Sequence, residues 1–491
     1  LINLNSVETT GDLSRLTSFY FGRISAFSAP SRKRTKELKI KSYLELKMKK
    51  VSVIAAAVAT ALFAGQALAE NEVALDVTSG EGAMNVEVKK PTEVITDGWE
   101  VHGYASMNFR MVDGETVDTE FGKPDYKTAG THGKSTNQVE FSIKKHTEHQ
   151  NGVWSNFNVR TEYGNGNSYA YTSSGSQKQN DEAQFEVKET FVEIGGFDFL
   201  GQDTSIWGGQ RFLNRAAGLL SGEFWKQSSG VGAGVQSKLA GNTAGFAVVV
   251  ADPDAGNATH DAERTTLTSY DFYYYGVDAG IGSLDFDFKY MEQANKDSNA
   301  EDGFGAAITL NSSYYGLDGW TQTAIAYGKG VAQNRGVNFG GWSGGDENQE
   351  SIFFTSYGVL NISENWQMGS EMTYFAALDE LFTAKDLKRY IVAVRPSYKV
   401  NDNLRLEMTG SYAHEEGADG YWGRSGDAVE SDILNLEVAA AFTVNADYFG
   451  RPQIKPYVSY ISADDEASAS QIGIKDGKSE TVIGVHTEIW F

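Results

Sequence analysis

The chain has 491 residues, with 53 glycines, 7 prolines, no cysteine and a formal charge of −23. The absence of thiols excludes a disulfide framework and a thiolate metal site. The acidic balance excludes a nucleic-acid partner, because phosphate neutralisation needs a basic surface.

From the N-terminus, residues 1–47 lack an initiating methionine and carry the basic run Ser31-Arg-Lys-Arg-Thr-Lys36. They read as an upstream extension of the gene model. Residues 48–69 read as a signal peptide: a basic start at Met48-Lys49-Lys50, an apolar core from Val51 to Gly65, and a small-residue cleavage site at Ala67-Leu68-Ala69. Residues 70–98 form an acidic lead-in, broken at Gly80-Glu-Gly82 and Lys89-Lys-Pro91.

From Trp99 the pattern changes to period two. Trp99, Val101, Gly103, Ala105, Met107 and Phe109 share one parity; Glu100, His102, Tyr104, Ser106, Asn108 and Arg110 share the other. Successive side chains of a strand point to opposite faces, so this segment has one apolar and one polar face. The pattern returns at Val139–Ile143, Phe157–Tyr163, Leu284–Tyr290, Leu404–Tyr412, Leu436–Phe442 and Ile454–Tyr460. It closes with Ile483, Val485, Thr487, Ile489 and Phe491 against Val482, Gly484, His486, Glu488 and Trp490. Tight connections such as Ser363-Glu-Asn365 and Asn401-Asp-Asn403 contrast with long, polar ones at 164–184, 251–263, 338–350 and 414–431. Short turns on one side and long loops on the other predict an all-β chain, a transmembrane antiparallel β-barrel over 99–491. Phe491 falls in the lipid-facing set and reads as an assembly signal; Trp490 faces the pore beside Tyr104, whose strand must pair with the last one.

Motifs for chemistry do not survive their context. Gly341-Trp-Ser-Gly-Gly345 matches a nucleophile elbow but sits in a Gly, Asn and Asp loop with no helix behind it. His146 and His149 precede the hairpin signal Asn151-Gly152 and read as turn residues rather than metal ligands. Asp252, Asp254, Asp261 and Glu263 break the order of a calcium loop. No catalytic residue, metal or cofactor is expected. Binding chemistry is what remains: aromatic rings on polar faces, flanked by charges, suit the apolar faces and hydroxyl rims of sugars.

Several short motifs, in order, carry a resemblance. They are His102-Gly-Tyr-Ala105, Ser205-Ile-Trp-Gly-Gly-Gln-Arg-Phe212 with Arg215 and Gly230-Val-Gly-Ala-Gly234, Glu364-Asn-Trp366, Val394-Arg-Pro-Ser-Tyr-Lys399, Arg451-Pro452 and Glu488-Ile-Trp-Phe491. Over 99–491 the chain resembles the maltoporin type of sugar-specific porin. The resemblance implies 18 strands, an inward-folded constriction loop, a homotrimer, and passive diffusion of maltose and maltodextrins along an aromatic slide beside a polar track. Carried over residue by residue, Tyr104, Phe449 and Trp490 fall on slide positions. Phe224 takes the place of a constriction tyrosine, and the mid-barrel slide position falls on Leu317 or Trp320, of which Trp320 is the aromatic one. Glu140, Lys188 and Arg215 fall on track positions. The chain departs from the family at Ser106, Gln138, Ala217 and Gly222, where Glu223 is the nearest acid to replace a lost constriction aspartate. The slide ring that a neighbouring subunit supplies would come from around Tyr169 and Tyr171.

The expected setting is the outer membrane of a Gram-negative bacterium. The expected partners are oligosaccharides, further copies of the chain, outer-membrane lipid and lipopolysaccharide. The alternatives are a general or other-sugar porin taking sucrose or β-glucosides, a barrel hydrolase, and a soluble periplasmic sandwich.

Overall fold

The computed structural model describes residues 94–122, 127–166, 185–251, 266–294, 302–340, 343, 349–382, 384–417 and 429–491. The chain divides between Glu81 and Gly82, and every described residue lies in the second unit, Gly82–Phe491. The expected signal peptide, the upstream extension, most of the acidic lead-in, Tyr169, Tyr171 and the Asp252–Glu263 acids fall outside these residues.

Twenty strands share one sheet. Two of them, Glu115–Val117 and Asn338–Phe339, are short pieces, which leaves 18 strands in the wall. The first six are β1 (Val94–Val112), β2 (Asn137–His149), β3 (Trp154–Gly166), β4 (Phe185–Gly195), β5 (Ser205–Ala217) and β6 (Phe224–Leu239). Next come β7 (Asn242–Ala251), β8 (Leu267–Asp278), β9 (Gly282–Gln293), β10 (Gly303–Tyr314), β11 (Leu317–Lys329) and β12 (Glu350–Asn361). The last six are β13 (Trp366–Ala377), β14 (Lys388–Asn401), β15 (Leu404–Gly417), β16 (Val429–Thr443), β17 (Gln453–Ala463) and β18 (Ser479–Trp490). β1 opens at Val94, ahead of the alternation that starts at Trp99. β1 and β18 pair antiparallel and close the barrel, with Tyr104 opposite Trp490 and Met111 opposite Ile483.

The polarity of the wall decides what kind of barrel this is. Met408, Leu436, Phe442 and Ile454 are 62%, 54%, 53% and 55% exposed, while Arg405, Glu407, Glu437 and Lys455 on the opposite face are buried. A soluble sandwich buries the first set and hydrates the second. Apolar outside and polar inside is the arrangement of a barrel in lipid. Phe491 follows the same rule: it packs edge-on against Phe141 at 6.4 Å on the outer face. Its ring lies across Gly103, where a Cβ would fall 2.3 Å from the ring, so only glycine admits it.

One rim carries short turns; Ala240-Gly241 and Tyr315-Gly316 both use positive φ at each residue, as tight hairpins require. From the other rim three connections fold inward, where one constriction loop was expected. Segment 127–136 is held by Glu437, which accepts from Thr131 N at 2.7 Å and from Ser459 Oγ at 2.5 Å. Segment 218–223 is held by Glu371, which accepts from Leu220 N at 2.6 Å and Ser221 N at 3.1 Å. Segment 330–340 lays Asn338–Phe339 parallel to Gln227–Ser228 of β6. Gly305 lets this segment approach, since a Cβ there would fall 1.8 Å from the Gly336 carbonyl oxygen. Beneath it Trp225, Val337, Phe353, Phe375, Leu381 and Leu387 form a buried apolar cluster inside the barrel. That side of the interior is packed.

Candidate functional site

The open side is found by asking which inward-facing residues stay exposed. Trp490, Phe449 and Trp320 are 44%, 42% and 39% exposed, although each points away from lipid. Their elements bring them together at the short-turn rim. Trp490 ends β18, Trp320 lies in the first turn-proximal part of β11, and Phe449 sits in the connection between β16 and β17. That connection folds inward because Tyr448 N donates to Gln367 Oε1 at 2.8 Å and Ala446 N to Asp402 O at 3.0 Å. Phe449 then stacks on Trp320, with centroids 6.4 Å apart and planes 28° apart. Gln367, Asn445, Asp447, Phe449, Arg451 and Trp490 share a cavity of about 420 Å³.

A polar bracket ties this group to the first strand. Tyr104 Oη donates to Glu488 Oε1 at 3.3 Å, while Arg451 Nε donates to Glu488 Oε2 at 2.5 Å. The Arg451 guanidinium lies 4.6 Å from the Trp490 ring centroid. Ser106 Oγ meets His486 Nε2 at 2.9 Å.

Next to Tyr104, in register on β2, lies Glu140. Its carboxylate takes the Arg160 guanidinium and accepts from Gln138 Nε2 at 2.6 Å. Arg160 also reaches Glu189 at 3.5 Å, and Lys188 Nζ lies 3.3 Å from Glu162 and 2.5 Å from Glu186. Lys188 and Glu189 are neighbours in sequence, yet both make these inward contacts. The pairing explains it: Arg160 faces Glu189 and Thr161 faces Val187, which leaves Lys188 as an extra residue in β4. Such a bulge re-aims the chain and puts consecutive side chains on one face.

Toward the long-loop rim, the Arg215 guanidinium lies 3.7 Å from the Phe224 ring centroid and 4.8 Å from that of Phe212. One face of Phe224 is therefore covered by a cation. The structure thus brings together Tyr104, Trp320, Phe449 and Trp490 at one rim and Glu140 and Lys188 on the adjoining wall, with Arg215 and Phe224 as a separate pair. Glu223 does not serve as the expected replacement acid. It is 3% exposed and bound to Arg335 and Arg389. Burial opposes its ionisation, but the two guanidinium charges outweigh it and hold the carboxyl below the usual range.

Sequence reading missed Arg160, Glu162, Glu186, Glu189, Arg451 and Glu488. Parity alone marks Arg160 and Glu488 as inward; nothing in the alternation signals the bulge that turns Glu189. His146 and His149 are three apart near the end of β2 and so on opposite faces; no metal-holding cluster exists among the described residues. Of the Gly341–Gly345 stretch only Ser343 is described, and its Oγ accepts from Gly340 N at 3.3 Å.

A closed barrel with an apolar exterior and a charged, partly open interior is the arrangement of an outer-membrane β-barrel channel. A family model described as LamB porin matches residues 99–491, and the chain belongs to that family. A maltoporin of Vibrio cholerae serotype O1 is 26% identical over 475 residues, covering 91% of this chain and 100% of the relative. Maltoporin 1 of Klebsiella pneumoniae is 26% identical over 64% of this chain and 75% of its own length. Among solved structures, OccAB4 of Acinetobacter baumannii overlays with a TM-score of 0.43 at 10% identity, covering 82% of this chain and 100% of that one; the overlay is too loose to decide anything further.

Proposed function

We propose that this outer-membrane porin conducts maltose and maltodextrin-like oligosaccharides by passive, facilitated diffusion. The observation that carries the reading is the group of inward-facing, exposed rings, Trp490, Phe449 and Trp320, set beside the Tyr104–Glu488–Arg451 bracket. Rings stack on the C–H faces of pyranoses, and charged groups exchange hydrogen bonds with their hydroxyls. In this reading Tyr104, Trp320, Phe449 and Trp490 form the slide, with Phe224 at its entrance. Glu140, Lys188 and Arg215 belong to the track, joined by Arg160 and Glu189. Weak binding at several successive places draws a sugar in without trapping it. The maltoporin names of the relatives support the substrate class. Assembly as a homotrimer, with lipid and lipopolysaccharide around the apolar exterior, completes the proposal.

A second reading, a porin for other sugars, is favoured by one observation: Arg215 covers the ring of Phe224, which removes a stacking surface from the entrance. Single-channel recording in planar bilayers separates the two. Maltohexaose is expected to block the ion current at lower concentration than sucrose or a β-glucoside. Equal block by all three, or none by maltohexaose, would remove the maltodextrin assignment.

A further inference from the structure

Arg215 and Phe224, which the proposed function puts at the pore entrance, are held in place by buried groups. Phe224 begins β6 immediately after Glu223. The Glu223 carboxylate is bound by Arg335, from the inward segment between β11 and β12, and by Arg389 Nη2 of β14 at 2.8 Å. Both guanidiniums lie against the Phe375 ring, at 4.7 Å and 5.8 Å from its centroid. Glu223 is thus the shared counter-ion of two cations seated on an apolar wall, where an uncompensated charge is costly. On the other side of Phe224, its carbonyl accepts from Asn338 Nδ2 at 2.8 Å, and Gln227 N donates to Val337 O at 3.1 Å. The segment before Glu223 is pinned separately: Glu371 accepts from Leu220 N, Ser221 N and Ser221 Oγ at 2.6, 3.1 and 2.5 Å.

We infer that Glu223, Arg335 and Arg389 are positioning residues that set the width and sugar recognition of the pore entrance through Phe224. The triad couples three elements, the inward segments 218–223 and 330–340 and the base of β14, at the residue directly before the entrance ring. Its release would let Phe224 and the covering Arg215 move as a unit, because Phe224 starts the strand that Glu223 anchors. The backbone ladders on both sides of β6, from Ser205↔Gln236 to Ala217↔Phe224 and from Val231↔Val250 to Leu239↔Asn242, are formed without the triad's side chains.

The inference rests on the sugar-porin reading for its sugar arm only; ion conductance tests the positioning by itself. E223Q, recorded in planar bilayers, is expected to raise single-channel conductance and current noise. It should also weaken maltohexaose block by roughly tenfold, the loss of one charged contact. In a double-mutant cycle, the effect of E223Q on block should shrink toward zero in an F224A background, because the clamp acts through that ring. E223D, which keeps the charge, should recover most of the wild-type block; if E223Q does not yield heat-modifiable, inserted channels, R389Q, which leaves Glu223 only one of its two cations, is expected to move conductance and block in the same direction. Unchanged conductance and block in E223Q, or a block defect that adds in full to that of F224A, overturns the inference. If maltohexaose fails to block even the wild type, the sugar reading falls, while the conductance comparison still tests the clamp.

Discussion

The residue that ties the wall to the pore is Trp490. Its ring faces inward beside Tyr104 while Phe491, one position on, lies outward across Gly103, so two adjacent aromatics serve two solvents. On the proposed slide, Trp490→Ala and Tyr104→Ala should each weaken sugar block by about tenfold, the scale of a stacked ring lost; current block titrated with maltohexaose measures it, and unaltered titrations for both would remove the slide assignment. Gly103→Val tests the outer contact. A Cβ there falls 2.3 Å from the Phe491 ring, and overpacking of this kind costs about 1–3 kcal/mol. The expected outcome is a lower yield of heat-modifiable barrel in SDS gels, with no change in sugar block among channels that do insert.

At the scale of elements, the β4 bulge does what a regular strand cannot. It presents Lys188 and Glu189 inward together, so that Glu162 and Glu186 share one lysine while Arg160 is bracketed by Glu140 and Glu189. Lys188→Gln leaves two carboxylates without that cation. In a salt gradient the reversal potential should then move toward cation preference; a potential identical to wild type would mean that this wall does not border the ion path. Two of the three inward segments, 127–136 and 218–223, are held in a related way, each by donors converging on a wall carboxylate. For segment 218–223 and its neighbour, the pH dependence has a definite sign. The Glu223 carboxyl is held below its ordinary value of 4.5 in the folded chain. A depressed carboxylate contributes fully above the ordinary value and is lost only as pH falls through the lowered one. The Glu223-dependent part of the conductance, read as wild type against E223Q, should therefore be flat from neutral pH down to about 4.5 and change only below it; a step between pH 5 and 7 that is present in the wild type and absent in E223Q would contradict the assignment.

For the whole molecule, the inversion of polarity governs stability. Met408 is 62% exposed on the outer face, and a lysine at mid-membrane costs a barrel about 2–4 kcal/mol. Met408→Lys should lower folding into lipid vesicles, followed by urea titration, by that amount, whereas the same change would be nearly neutral on a water-soluble sandwich.

How much of this was legible beforehand follows from the same physics. Alternation over Trp99–Arg110 and Glu480–Phe491 sufficed for strand, barrel and the opposite facing of Trp490 and Phe491, because strand parity is a local property of two neighbouring residues. The closing pair Tyr104 and Trp490 could be named because the first and last strands of a barrel must meet. The sequence by itself thus determined the wall, its polarity and its seam. Only the tertiary structure decided what fills and narrows the interior. Three inward segments instead of one, the burial of Glu223 between Arg335 and Arg389, the reversal of facing at Lys188, and the stack of Phe449 on Trp320 all depend on residues distant in the chain. Such pairings are set by closure of the barrel and by buried charges finding counter-ions across it, and a period-two pattern carries no record of either.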